Sequence, residues 1–247
     1  YGHLPMILGS DGAKLSKRHG AVNVLEYRDE GFLPDAVLNY LVRLGWSHGD
    51  QEVFSREEMI RLFDISAVNA SASRFDGEKL KWLNQQYLKN STTGSLVDEL
   101  LRQLHRAGLD PAHGPAPAAV IEAYRERATT LRDLADSAAY LYADPPTVDE
   151  TAVRKHLTPA ISAPLALLVT RLGGLATWTR GEIHGVLAGV ATDCGIGFGK
   201  LGQPVRVAVT GGTVSPPIDV TLELLGRDKA LQRLGQALAL TGSGAVA

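Results

Sequence analysis

Three features of the 247-residue sequence point to a mainly α-helical protein. Apolar residues recur at three- and four-residue spacing through most of its length. Residues that cap helix N-termini stand just before several of those runs: Ser55 with Glu58, Asp76, Thr130 with Asp133, and Thr179 with Glu182. Period-two alternation, the mark of a half-buried strand, is nearly absent beyond the first twenty residues.

Taken in order, residues 4–9 read as a short strand and 10–13 (Ser-Asp-Gly-Ala) as a tight turn. Pro34-Asp35 starts a helix with Val37, Leu38, Leu41, Val42 and Leu44 on one side, and Gly45 stops it. Ser55 and Glu58 have capping-box spacing ahead of Met59, Ile60, Leu62 and Phe63. Asp76 caps a helix in which Leu80, Leu83 and Tyr87 share a face. The polar stretch Asn90 to Gly94 is the best domain boundary, after which Ser95 and Asp98 open a helix ending near Gly108. Asp110 to Pro117 reads as a Pro/Gly linker, and Asp144-Pro145-Pro146 ends the helix opened by Thr130. Pro159 to Leu172 is apolar and expected to be buried. The last helix, 227–240, carries Leu231, Leu234 and Leu238.

The composition, 45% hydrophobic and 21% charged, is that of an ordinary globular protein. With a net charge of −2, any nucleic-acid binding has to rest on local patches. Cys194 is the only cysteine, which excludes an internal disulfide and any multi-cysteine zinc site and suits a reducing compartment, the cytoplasm. It reads as a small buried residue. The seven histidines lack metal-ligand spacing, so no metal site is expected. There is no run of membrane-spanning length and no signal peptide. Glu57-Glu58 reads as helix N-terminal charge. The apolar run from Leu4 follows the first residues at once, without an initiator methionine, so a piece of a longer protein is expected.

Lys14, Lys17 and Arg18 stand together behind the turn that holds Gly12. Spacing alone leaves two readings, a phosphate clamp or a solvated cluster, and the Walker pattern is missing. Read whole, Lys14-Leu15-Ser16-Lys17-Arg18 resembles the KMSKS signature of class I aminoacyl-tRNA synthetases. The surrounding text from Leu4 to Ser55 resembles the bacterial-type glutamyl-tRNA synthetases. So do Lys81-Trp82-Leu83-Asn84, Arg127-Ala128-Thr129-Thr130-Leu131, the run Gly199 to Gly211, Ser215-Pro216 and Leu225-Gly226. No HIGH motif occurs, so the resemblance implies the C-terminal half of such an enzyme, beginning just before its KMSKS loop. In that family the loop closes over ATP, used with Mg2+ as a substrate. Lys17 would offset charge on the leaving pyrophosphate, Lys14 would assist, and Leu15 would lie near the adenine. The fragment alone would bind tRNA without catalysis.

The resemblance further implies three parts. Residues 1–20 end the catalytic region, 21–90 form a stem-contact domain, and 91–247 form a helical anticodon-binding domain, with a possible division near 145. Arg28, Arg43 and Lys79 are candidate phosphate contacts, solvated surface being the alternative for each; Trp46 and Trp82 read as core. Independently of the family, no acidic residue stands between Asp193 and Asp219, a stretch that holds Lys200, Arg206 and six glycines. Such a stretch suits backbone approach to RNA, or is a flexible surface loop. By motif match Arg206 is the candidate for an anticodon base, and Ser215, Pro216 and Ile218 for the segment that packs on the first two positions. Pro217 departs from relatives with Gly there. Arg125, Arg127 and Arg132 stand near where a third-base reader is expected. The partners implied are tRNA(Glu), with tRNA(Gln) left open, and ATP and glutamate through the catalytic half; the protein is expected to be a monomer. A free-standing RNA-binding or helical interaction module derived from a synthetase is the competing reading.

Overall fold

The computed structural model of the chain describes residues 5–16, 23–143 and 148–242. Among them, thirteen α-helices account for nearly all regular structure, and the only sheet is a pair of two-residue strands. The chain is mainly α, as expected. It divides into two compact units: Tyr1–Ala107 with Tyr124–Asp136, and Gly108–Ala123 with Ser137–Ala247.

In the first unit, β1 (Ile7–Leu8) pairs in parallel with β2 (Ser73–Arg74), Ile7 opposite Ser73 and Leu8 opposite Arg74. Only these two positions of the expected longer strand find a strand partner. Helices α1 (Val24–Asp29), α2 (Pro34–Arg43) and α3 (Arg56–Leu62) lie between the strands, and α4 (Gly77–Asn90) and α5 (Thr93–Arg106) follow. The Ser55–Glu58 capping box forms in full: Ser55 Oγ accepts from the Glu58 N–H at 3.1 Å, and Glu58 Oε2 accepts from the Ser55 N–H at 2.7 Å. Asp76 Oδ1 accepts from the N–H groups of Glu78 and Lys79 and so starts α4. Helix α1 has a capping box of its own, Asn23 with Glu26, but is six residues long and buries none of them. Apolar periodicity therefore leaves no trace of it.

The core of this unit gathers Phe32, Val37, Tyr40, Leu80 and Leu83, with a second cluster of Trp46, Phe54 and Met59. Two buried asparagines tie loops to it. Asn39 Oδ1 accepts from the Phe54 N–H and the Tyr87 hydroxyl, both at 2.8 Å, while its Nδ2 donates to the Glu52 carbonyl at 3.1 Å. Burial pushes the Tyr87 phenol up to about 12, so it remains a donor. Asn84 accepts from the Leu33 N–H at 2.8 Å and donates to the Thr129 carbonyl at 2.6 Å. Trp46 is buried as expected, but Trp82 is 44% exposed. It stands between Leu80 and Leu83, which face the core, and each helical step turns a side chain by about 100°.

The second unit contains α6 (Pro117–Tyr124) up to Ala123, the end of α7 (Leu131–Tyr142), α8 (Glu150–His156), α9 (Ser162–Gly173), α10 (Arg180–Asp193), α11 (Phe198–Thr210), α12 (Ile218–Leu225) and α13 (Arg227–Gly242). Helix α9 packs on α10 and α13, and α11 packs on α8, α10 and α13. Leu165, Leu168, Leu187, Leu201, Leu222 and Leu234 are fully buried there. The apolar stretch from Pro159 becomes a 3-10 turn followed by α9. Pro117, read as the end of a linker, is instead the first residue of α6, a position that proline tolerates well. Arg233 of α13 is buried and donates to the carbonyls of Val209, Tyr140 and Ala143 at 2.6, 2.9 and 3.0 Å.

One backbone approach in the first unit admits only glycine. Gly31 has φ +80°, its carbonyl accepts from the Leu131 N–H at 2.9 Å, and a Cβ there would stand 2.3 Å from the Arg132 nitrogen. Gly31→Ala is expected to lose about 1–3 kcal/mol from backbone strain and more from the clash. Equilibrium urea unfolding checks this; a variant as stable as the wild type contradicts it.

Candidate nucleic-acid interface

The basic cluster begins on a tight turn. The Gly9 N–H donates to the Ala13 carbonyl at 2.8 Å and the Gly12 N–H to the Gly9 carbonyl at 3.0 Å, while Asp11 Oδ1 accepts from the Ala13 N–H at 2.9 Å. Gly12 takes φ +79°, which glycine permits at no steric cost. The chain then doubles back, Lys14 bridging to Leu8 and the Leu15 N–H donating to the Ile7 carbonyl at 2.9 Å. Lys14 is exposed, and Leu15 and Ser16 are half-buried. Lys17 and Arg18 lie outside the described residues.

Of the other candidate cations of the first unit, Arg28, Arg43, Lys79 and Arg132 are engaged by carboxylates and Arg125 by a carbonyl. Glu52 accepts from Arg43 at 2.9 Å and from Lys79 at 3.0 Å. Burial alone would raise the Glu52 carboxyl, but the bonds from Lys79 and Arg43 outweigh it and hold it below its ordinary range. Arg28 lies 3.3 Å from Asp29, which also pairs with Arg106 at 3.1 Å. Arg125 Nη1 donates to the Ser91 carbonyl at 3.1 Å, and Arg132 lies 3.9 Å from Asp136. Glu57 and Glu58 occupy the first turn of α3.

In the second unit, a cleft of about 310 Å³ opens between α10, α11 and the start of α12. Arg206 and Ile218 line it, two of the four residues matched to anticodon recognition. Arg206 Nε donates to Ser215 Oγ at 2.8 Å, Nη1 to Gln203 Oε1 at 2.6 Å and Nη2 to the Pro216 carbonyl at 3.5 Å. Ser215 Oγ and Thr221 Oγ1 lie 3.0 Å apart, and Gln203 Nε2 donates to the Thr213 carbonyl at 3.0 Å. The guanidinium thus holds the 213–217 segment against α11. Ser215, Pro216 and Ile218 are buried, while Pro217 is exposed and lines the cleft. The departure at Pro217 is accommodated as the N-cap residue of α12.

Four further residues of this cleft are marked by no motif: Arg180, His184, Phe198 and Asp219. Buried Asp219 accepts from Arg180 Nε at 3.0 Å and lies 3.4 Å from His184 Nδ1. The rings of His184 and Phe198 are 5.4 Å apart and tilted by 30°, and Phe198 is 39% exposed. Such a surface suits stacking of an unstacked base, with hydrogen-bonding groups at its edge. The i,i+4 spacing of Arg180 and His184 is the one sequence signal that places them on a shared helix face. Cys194 is half-buried beyond the end of α10.

Burial alone would raise the Asp219 carboxyl. The bonds from Arg180 and the Val220 N–H outweigh it and hold it below its ordinary range. A carboxyl depressed in the folded state stabilises above the unfolded value of about 3.9, and that contribution is lost as pH falls through the folded value. Asp219→Asn is therefore expected to lose less stability than the wild type between about pH 5 and pH 2.5. Thermal melts across that window check it; parallel acid limbs contradict it.

The family described as tRNA synthetases class I (E and Q), catalytic domain, matches residues 1–82, and the anticodon binding domain matches residues 80–238. Glutamate–tRNA ligase 2 of Coxiella burnetii strain Dugway 5J108-111 is 53% identical over 238 residues, covering 96% of this chain and 51% of the relative. Glutamate–tRNA ligase 1 of Nitrosococcus oceani is 51% identical over 239 residues, covering 97% and 51%. The chain spans about half the length of the curated relatives it matches. A crystal structure of a glutamate tRNA ligase from Elizabethkingia meningosepticum, in complex with its amino acid, superposes with a TM-score of 0.83 at 28% identity, covering 96% of this chain and 51% of that one. The catalytic-domain match ends where the anticodon-domain match begins, within α4, and the cleft around Arg206 falls inside the latter. The chain belongs to the anticodon binding domain family, which accounts for its residues 80–238, and over about half their length it is similar to the glutamate–tRNA ligases.

Proposed function

We propose that this chain is the tRNA-binding portion of a cytoplasmic, monomeric glutamyl-tRNA synthetase, which activates glutamate with ATP and transfers it to tRNA(Glu). In this reading residues 1–20 complete the catalytic region, 21–90 hold the tRNA stem and 91–247 read the anticodon. The observation that carries it is the cleft at Arg206. It has a ring surface at His184 and Phe198, hydrogen-bonding groups at its edge, and a wall from a segment without acids. Asp219, the one carboxylate that lines it among the described residues, is buried against Arg180 and so does not repel RNA.

Arg206 is the base contact in this reading, and Ser215, Pro216 and Ile218 shape the wall against which the base lies. Arg206→Ala is expected to cost about 1–3 kcal/mol on the matching anticodon and much less on tRNA already changed at that base. Filter binding with each anticodon base varied checks it. Equal losses on every anticodon would leave Arg206 as a clamp for the 213–217 segment only.

At the other end of the chain, ATP supplies the anhydride that activates glutamate, and Mg2+ comes with its phosphates, as that ion usually does. Lys17 offsets charge on the leaving pyrophosphate, with Lys14, Leu15, Ser16 and Arg18 completing the loop. In the full-length protein, Lys17→Ala is expected to slow charging of tRNA(Glu) by ~10²–10³ without changing tRNA affinity. A loss below about fivefold would remove Lys17 from the site. The same assay with tRNA(Gln) decides whether that tRNA is a second substrate.

A further inference from the structure

A second cleft, of about 390 Å³, lies beside the first, and the two share Gly199 and Gln203 at the start of α11. Its surface is divided by chemistry. Ile161, Pro164 and Pro204 supply an apolar floor, while Lys155 from the last turn of α8 and Lys200 from the first turns of α11 supply cations. Among the described residues, no carboxylate lines it. Arg154, next to Lys155, is paired with Glu150 at 3.8 Å, but among the described residues the side chains of Lys155 and Lys200 make no ion pair and no hydrogen bond. Two ammonium groups at the rim of one apolar concavity, without an acid to offset them, form a receptor for an anion carried on a partly apolar group. A nucleotide has that chemistry: a phosphodiester for the lysines, and sugar and base faces for the floor.

The shared residues say which nucleotide. Position 199 has no side chain, and the space that a Cβ would enter is open, so a strand crossing the first turn of α11 meets backbone only. We propose that this cleft seats the nucleotide adjacent to the one in the Arg206 cleft, on the same single-stranded RNA loop, with Lys155 and Lys200 holding its phosphate. The proposal rests on the anticodon-loop reading given above. Phosphate contacts position a nucleic acid without reading its sequence, and they make binding salt-dependent. The two clefts thus divide the work: one discriminates, and the other fixes the strand.

The test is filter binding of the 247-residue chain to tRNA(Glu) transcripts with each anticodon base varied, from about 50 to 200 mM salt. Lys155→Ala with Lys200→Ala is expected to weaken binding about three- to tenfold at low salt, equally for all anticodons. The slope of log affinity against log salt should fall by about 0.7 for each lost contact. Lys155→Arg with Lys200→Arg should keep both affinity and slope. If the alanine pair binds like the wild type while Arg206→Ala remains anticodon-dependent, this cleft is not a phosphate site and the anticodon reading stands. A loss that depends on the anticodon base, or arginine variants as weak as the alanine ones, overturns the phosphate role. A wild-type chain that binds tRNA(Glu) no better than an unrelated tRNA overturns the anticodon reading and this proposal together.

Discussion

A single buried cation organises the unit that carries both clefts. The last carbonyls of a helix have no intrahelical donor, and they form the negative end of its dipole. Two helices, α7 and α11, end close enough together for one guanidinium to serve both. Arg233 reaches the carbonyls of Tyr140 and Ala143 at the end of α7 and that of Val209 at the end of α11. Hydrogen bonds to a charged group are among the stronger ones, and burial raises the cost of leaving these carbonyls without a donor. With its C-terminal end held there, α11 leaves through Gly211, at φ +79°, whose carbonyl accepts the Asp149 N–H beside the start of α8. The two elements that frame the second cleft are thereby tied to one another, and the 213–217 segment starts from a fixed point.

From that point outward, polar groups are used in layers. Arg206 holds the 213–217 segment on α11, Asp219 holds Arg180 and His184, and Thr221 accepts the role of partner to Ser215. A site whose side chains are locked by neighbours on helices needs little reordering when a ligand arrives. The net charge of −2 says nothing about this local balance. What counts is that the carboxylate nearest the cleft is turned inward onto cations, whereas Lys155 and Lys200 have no such partner among the described residues.

The first unit shows the opposite disposition of charge. Glu52 draws in Arg43 and Lys79, and Asp29 draws in Arg28 and Arg106. Cations that look equivalent as letters therefore differ in what they can offer a phosphate. At the N-terminal turn the arrangement is simpler: the parallel pairing of β1 with β2 and the Gly12 turn bring Lys14 to the surface, where the basic cluster begins.

Much of this was legible from residue order. Capping residues such as Ser55 and Asp76 and the apolar faces of α2 and α4 act within a few residues of themselves, so their outcome can be read locally. The motif at Lys14–Arg18 and the runs around Arg206 and Ser215 likewise carry the family on contiguous residues. Helices α1 and α6 escaped because one buries nothing and the other begins at a proline within a turn-like stretch; Trp82 escaped because a one-residue step decides which way a helical side chain points. Beyond the motif at Arg206 and the spacing of Arg180 and His184, the clefts themselves were not legible in the sequence. Residues from 155 to 219 meet in them, and whether a lysine or arginine is neutralised depends on carboxylates and carbonyls brought near by the fold. Coulombic and hydrogen-bond interactions act over a few ångströms in space, and only packing turns distance along the chain into that distance.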